Sequence, residues 1–239
     1  MKQSSTISNM DVNRATDPIR GAVPNRKLRR REQQRAINTR LVILKAALSE
    51  FAEQGFEAAS IRHIAERTGL QHPLITYHYK TKEILWRAVA EHVFSEIRTL
   101  WDKQAPLASD LAPIERVRQE YRSLLQFMLE YPDFHHFMLR ESKPRNPRLA
   151  WLAKRFLKPL LSSRLLPQIR AAQKAGELPK ADPMLIHYML IGMTSVPSSL
   201  GDEIRLVARI SPNDPKIVDA YWELIDHTVF ARKQRGRKK

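Results

Sequence analysis

The sequence predicts an all-α protein, on three observations. Long stretches carry apolar residues at three- and four-residue spacing. Seven glycines stand against 15 prolines, the balance of helices punctuated by proline rather than of glycine-rich loops. No alternating strand pattern runs longer than four residues, and no internal repeat of solenoid period is present.

Residues 1–31 are polar, basic and proline-interrupted, and read as a disordered tail. Order is expected from Glu32. Ile37, Leu41, Leu44, Leu48 and Phe51 form one stripe of an amphipathic helix that Gly55 stops. Ser60 caps a short helix, Ile61 to Thr68, that turns Ile64 and Ala65 inward and ends at Gly69. A third short helix, 71–79, is expected to bury Leu74 and Ile75 and to turn Gln71, His72, Thr76 and His78 outward. Thr81 then caps a long helix with the stripe Leu85, Ala88, Val89, Val93, Ile97 and Leu100. Five further segments, roughly 111–130, 132–142, 147–176, 183–200 and 215–232, bring the total to about nine helices. Asn146-Pro147, Asp182-Pro183 and Asp214-Pro215 each place a capping side chain before a proline at the first helical position. Pro159 and Pro167 are expected to kink or split the third segment, and Pro197 the fourth.

Composition narrows the function. With no cysteine, disulfides, thiolate zinc sites and a cysteine nucleophile are excluded, which fits a cytoplasmic protein. No apolar run approaches the ~20 residues that span a bilayer, and the N-terminus lacks a signal-peptide core. The net charge of +16 sits mostly at the ends: residues 1–31 hold 8 basic and 2 acidic side chains, and 232–239 hold 6 basic and none acidic. Such tails help to hold a polyanion without reading its sequence.

Residues Ser60 to Tyr79 have the mechanics of a helix-turn-helix. Two helices crossing steeply need a small residue where they touch, a turn residue tolerant of positive φ, and an apolar anchor on each. Ala65, Gly69, Ile64 and Ile75 stand at those places. The second helix then presents a polar side of a kind that fits the DNA major groove.

This block resembles the TetR family of bacterial regulators. Ser60, Arg62, Ile64-Ala65, Gly69-Leu70-Gln71, Ile75-Thr76-Tyr77-His78-Tyr79 and Lys82-Glu83 stand where that family carries its Thr/Ser-x-Arg-x-Ile-Ala start, its turn, its Leu-Tyr-x-His-Phe and its Lys-Glu pair. The match covers residues 37–97. The resemblance implies an N-terminal three-helix DNA-binding domain over 32–97 (motif 61–80), a helical ligand-binding and dimerisation domain over 98–232, and a second basic tail over 233–239. It implies a DNA-facing set of Ser60, Arg62, Gln71, His72, Pro73, Thr76, Tyr77, His78 and Lys82. Of these, Tyr77, Lys82 and Ser60 would hold phosphates, and Gln71, His72 and Thr76 would face base edges. His72-Pro73 and Thr76 depart from the commoner family residues, which leaves the target sequence unreadable. For His78 and Tyr79, packing between the third and fourth helices is the competing role.

The last segment carries Ile217, Val218, Tyr221, Leu224, Ile225, Thr228 and Val229 on one stripe. A helix so apolar on one side needs a partner. The resemblance implies that 183–200 and 215–232 pair with their copies in a homodimer, with Tyr221, Leu224, Ile225 and Thr228 in the interface. Between the two ends lie Phe127, Met128, Phe134, Phe137, Met138, Tyr188 and Met193, with Trp151 and Phe156. These are expected to line a pocket for a small organic effector whose polar end meets His135, Arg140 or His187. The expected partners are thus double-stranded DNA, a second copy and an effector, with no cofactor, metal or membrane. An all-helical enzyme is the alternative, but no Gly-x-Ser-x-Gly elbow, His-Glu-x-x-His or phosphate loop is present. Nonspecific nucleic-acid binding through the tails is a third reading.

Overall fold

A computed structural model describes residues 26–230; the tails expected over most of 1–31 and over 233–239 lie outside the described residues. Among the described residues the chain is helical, without strands. The helices are α1 (Arg26–Ala58), α2 (Ile61–Thr68), α3 (His72–His78), α4 (Lys82–Gln104), α5 (Pro113–Glu130) and α6 (Pro132–Glu141). A long helix α7 follows over 147–174, then α8 (Pro183–Ser199), α9 (Gly201–Ala208) and α10 (Pro215–Ile225), which a π-turn, Asp226–Phe230, prolongs. Contacts divide the chain after Asn38. The described part of the first unit is the opening stretch of α1, where Gln34 bonds Asn38 at 2.9 Å. The second unit, from Thr39, holds all the other helices.

Helix α1 begins six residues before the expected Glu32, so the segment Arg26–Arg31 is helical and not part of a disordered tail. Arg, Lys and Leu are good helix formers, and adding a turn to an existing helix avoids the cost of nucleation. The expected stripe holds only in part. Leu44, Leu48 and Phe51 are buried, but Ile37 and Leu41 are exposed, and Ile43, Ala47 and Ala52 complete the inward face. Gly55, at φ 73°, breaks the straight course of α1, and one more turn carries the chain to Ala58. Gly69 closes α2 at φ 68°. Both positions use the left-handed backbone that glycine adopts without cost.

The caps read from the sequence are in place. Ser60 accepts from the Arg62 amide at 3.2 Å, Thr81 from Ile84 at 3.1 Å, Asn146 from Arg148 at 2.9 Å, Asp182 from Met184 at 2.8 Å and Asp214 from Lys216 at 2.9 Å. In α7, π-turns over Ala153–Leu157 and Leu161–Leu165 precede and follow Lys158–Leu160, which contains Pro159, and Leu166–Lys174, which opens with Pro167, completes the helix. The prolines therefore widen the helix locally and do not split it. Helix α8 runs through Pro197 and ends two residues later. Helix α9 occupies a stretch that the sequence reading left as a connection; Asp202 and Glu203 sit in its first turn, where the helix dipole favours them.

Helix α5 is the centre of the larger region, packed against α4, α6, α7 and α8. Trp86 of α4 is fully buried and brings α1, α6 and α7 together, its ring lying 6.5 Å from Phe56, 5.5 Å from Phe137 and 5.6 Å from Trp151. Among the described residues no helix is long and apolar enough to cross a membrane.

Candidate nucleic-acid interface and ligand cavity

Helix α3 is held from one side only. Ile75 is fully buried beside Ile64 and Ala65 of α2, and Tyr79 closes the junction to α4, where burial pushes its hydroxyl above the usual range. Leu74, expected in the core, is exposed. A seven-residue helix docked by one apolar residue per turn leaves the next position outside. Gln71, His72 and Pro73 are exposed, and Tyr77 is 78% exposed, with its ring edge-on to that of neighbouring His78, 5.4 Å between centroids. His78 is half-buried, and burial, with Arg40 nearby, lowers its pKa below the ordinary imidazole value. The Thr76 hydroxyl turns back onto the main-chain oxygens of His72 (3.3 Å) and Pro73 (3.0 Å).

Helix α2 is anchored to α1 by a buried carboxylate. Glu50, 1% exposed, accepts from the Ser60 amide at 3.1 Å and lies 3.3 Å from His63 Nδ1 and from Arg67 Nε. Arg67 also bonds Glu53, which lowers the Glu53 pKa and raises that of Arg67. Glu50 was not singled out in the sequence, since a lone Glu on a helix reads as a solvated residue. Arg62 is exposed and paired with Glu66 at 3.2 Å. Lys82, expected on a phosphate, donates to the main-chain oxygens of Glu57 (2.9 Å) and Ala59 (3.1 Å), with its ammonium 4.9 Å from the Phe56 ring centroid. It therefore caps the end of α1 and commits two of its three N–H donors there.

A cavity of about 390 Å³ lies among α4, α5, α6, α7 and α8. Of the residues expected around an effector, Met128, Phe134, His135, Met138, Tyr188 and His187 line it. Phe127, Phe137, Met193 and Arg140 do not, and neither do Trp151 and Phe156. Phe127 backs Phe134 at 5.6 Å, Phe137 faces Trp86, and Met193 packs against the core. Arg140 leaves the opposite side of α6: Nε donates to the Ala52 oxygen at 3.1 Å, and Nη2 bonds the Glu53 oxygen. Sequence reasoning missed Phe94 and Ile97 of α4, Leu124 of α5 and the α7 row Leu157, Leu160, Leu161 and Leu165. That row repeats at helical spacing, which is a signal of a buried side, but aliphatic residues at that spacing look the same whether they meet core or cavity.

Two polar arrangements border the cavity. His187 Nδ1 lies 2.6 Å from the Tyr121 hydroxyl, both groups buried. Burial pulls the imidazole down to about 4 and pushes the phenol well above its usual range, so both stay neutral. Behind Trp101, Arg164 bonds Glu120 Oε1 (2.6 Å), Asp102 (2.5 Å) and the Ala105 oxygen (2.7 Å), and Trp101 Nε1 donates to the Glu120 main-chain oxygen at 2.8 Å. Burial raises the Glu120 carboxyl to about 7, and its Oε2 has no hydrogen-bond partner among the described residues.

The residues expected in a dimer interface separate. Ile225 is 4% exposed and belongs to the core of its own chain. Tyr221 is half-buried and donates to the Met193 oxygen at 2.8 Å. Leu224 and Thr228 remain on the surface, as do Leu185, Met189 and Val196 of α8.

A family model described as bacterial regulatory proteins, tetR family, matches residues 43–89, which span the second half of α1 through the first turns of α4. The HTH-type transcriptional repressor Rv3405c of Mycobacterium tuberculosis (strain H37Rv) is 33% identical over 175 residues, 70% of this chain and 86% of that protein. The HTH-type transcriptional regulator RutR of Escherichia coli (strain K12) is 25% identical over 203 residues, 83% of this chain and 92% of that protein. Among solved structures, a TetR family transcription regulator from Marinobacter aquaeolei superimposes with a TM-score of 0.60 at 19% identity, over 84% of this chain and 100% of that one. The ketosteroid transcriptional regulator KstR2 of Mycobacterium tuberculosis gives 0.59 at 16% identity, over 81% and 95%. The structural likenesses carry the fold, and the sequence relatives are regulators, not enzymes.

Proposed function

The chain belongs to the TetR family and is a DNA-binding transcriptional regulator; from that premise we propose that it is a cytoplasmic, ligand-responsive repressor that binds an inverted-repeat operator as a homodimer. The reading unit is assigned to residues 32–97 and the effector and dimer unit to 98–232. The observation that carries this reading is the unsupported outer side of α3, where Gln71, His72, Pro73 and Tyr77 face solvent. Among the described residues, the chain's own packing buries none of these four side chains. On DNA, Gln71, His72 and Thr76 would meet base edges. Tyr77 and Ser60 would hold phosphates, with Arg62, Pro73 and His78 at the margin and the remaining Lys82 donor beside them.

The effector is assigned to the 390 Å³ cavity, whose size falls in the range of small-molecule sites, about 300–1000 Å³. Leu224 and Thr228 of α10, with the α8 stripe, are assigned to the dimer. No catalytic step is proposed. Selection of bound sequences from random duplex DNA tests the proposal. An inverted repeat with half-sites about one helical turn apart, or a multiple of it, is the expected result. A single unpaired half-site, or enrichment without any consensus, would refute it.

A further inference from the structure

We propose that the cavity selects uncharged, lipophilic carbonyl compounds, with the carbonyl oxygen accepting a hydrogen bond from His187 Nε2. This rests on the reading of the cavity as the effector site. The wall contains no Lys, Arg, Asp or Glu. The nearest charged groups, Arg164, Glu120 and Asp102, are paired with one another behind Trp101. The remaining ionisable groups of the wall are His135, His187 and, at the exposed mouth, Tyr188. Burial holds both imidazoles neutral at pH 7, with His136 adding to the effect on His135. A carboxylate entering this space would lose its hydration and find no cation, a cost that apolar contacts do not return.

The hydrogen bonding of His187 fixes what this side chain offers the cavity. The Tyr121 hydroxyl keeps its proton and needs an acceptor; among the described residues its one hydrogen-bond partner is His187 Nδ1 at 2.6 Å. A phenol that donates to Nδ1 leaves the imidazole proton on Nε2. That nitrogen has no partner among the described residues, in a side chain only 7% exposed that lines the cavity. An N–H in an apolar cavity gains most from an acceptor. The Ser142 hydroxyl, also in the wall, is spent on the Met138 oxygen at 2.9 Å and does not compete as a donor. Tyr121 is thus a positioning residue that sets the tautomer of the group touching the ligand.

Three probes of one shape test this by titration calorimetry on the full chain at pH 7.5: 2-acetylnaphthalene, 2-isopropenylnaphthalene, in which CH₂ replaces the carbonyl oxygen, and 2-naphthoate. The ketone is expected to bind roughly fivefold more tightly than the alkene, the worth of about 1 kcal/mol for one net hydrogen bond. The carboxylate is expected to be weakest. In His187→Met the difference between ketone and alkene disappears. Long-range proton–nitrogen NMR places the His187 proton on Nε2 in the wild type and shows the other tautomer gaining in Tyr121→Phe, a change that loss of packing alone does not produce. Equal binding of ketone and alkene in the wild type, or tightest binding of the carboxylate, overturns the ligand class while the cavity still binds. Binding in the expected order with no change in DNA affinity leaves the class standing and overturns the effector reading. Failure of all three probes to bind overturns both.

Discussion

The hydroxyl of Tyr221 donates to the main-chain oxygen of Met193 at 2.8 Å. That oxygen is four residues before Pro197, whose missing N–H would have bonded it in an uninterrupted helix. A side chain of α10 therefore supplies the donor that a proline withholds from α8, and α8 continues through Pro197 to Ser199. Tyr221→Phe is expected to lower stability by about 1–2 kcal/mol in urea unfolding, because it leaves a carbonyl unsatisfied, while the sedimentation coefficient stays unchanged. A dissociated variant would return Tyr221 to the dimer interface.

Leu224 and Ile225 are neighbours with opposite surroundings, 67% and 4% exposed. Leu224→Glu is expected to convert dimer to monomer in light scattering at micromolar concentration with little loss of helicity, since its charge is desolvated only against a second copy. Ile225→Ala should instead cost about 2–5 kcal/mol of stability in the single chain. Dimers of Leu224→Glu as tight as wild type would remove α10 from the interface.

How much was legible in the sequence follows from the range of the forces involved. Caps at Asn146, Asp182 and Asp214 depend on side chains two residues from the amides they hold, so the sequence displays them directly. The helix-turn-helix was equally visible, since Ile64, Ala65, Gly69 and Ile75 meet across a short turn. Which side of a helix faces the cavity depends on packing between distant segments. Arg140 could not be told from a pocket residue until α6 was seen to turn it onto α1, and Ile225 could not be told from Leu224. Helix α1 starts earlier than expected, at Arg26, and Ile37 and Leu41 are exposed, because an apolar stripe shows which side of a helix could be buried and not where its cover ends.

With its hydroxyl occupied on the His72 and Pro73 oxygens, Thr76 has its methyl group left to offer DNA. Thr76→Val should keep the selected consensus, and Thr76→Ala should relax it at one position by about 1–3 kcal/mol. Tyr77→Phe should weaken all duplexes alike. Loss of the consensus in Thr76→Val would show that the hydroxyl, not the methyl, reads the base.

Two buried groups should give stability opposite pH dependences. The His187 imidazole is held down to about 4 from 6.5, so the unfolded chain takes up the proton first and stability is lost as pH falls through that interval, by roughly 3 kcal/mol at about 1.4 kcal/mol per unit. Glu120 is raised to about 7 from 4.5, so the folded chain takes up the proton first and stability is gained as pH falls through its interval. The two offset one another between pH 4.5 and 6.5. Against wild type, Glu120→Gln should lose stability on acidification from pH 7 to 4.5, and His187→Met should gain it. Urea midpoints at three pH values decide; parallel curves for all three proteins would sink the assignment.

Arg140 and the cavity wall share one helix. Phe134, His135, Met138 and Leu139 of α6 line the cavity, while Arg140 donates to the Ala52 and Glu53 oxygens at the last turn of α1 before Gly55. At the other end of α6 Asp133 accepts from Ser49, while beside Arg140 Glu141 accepts from Trp86 Nε1 at 3.1 Å. One turn back along α1, Glu50 holds the Ser60 amide, the N-cap of the helix that supports α3. A ligand that binds one position of α6 better than another therefore acts on α3 through main-chain carbonyls and a buried carboxylate. Typical couplings of this kind are about 1–3 kcal/mol, or roughly 5–150-fold in affinity. Arg140→Ala lies outside both the cavity and the outer side of α3, so it should leave ligand affinity and operator affinity near wild type when each is measured alone. The ratio of operator affinities with and without saturating 2-acetylnaphthalene should fall toward one, and Arg140→Lys, which keeps a donor but loses the two-pronged grip, should fall between. A ratio unchanged in Arg140→Ala would mean that α4, which carries Trp101 and Ile97 in the same wall, transmits the signal without α6.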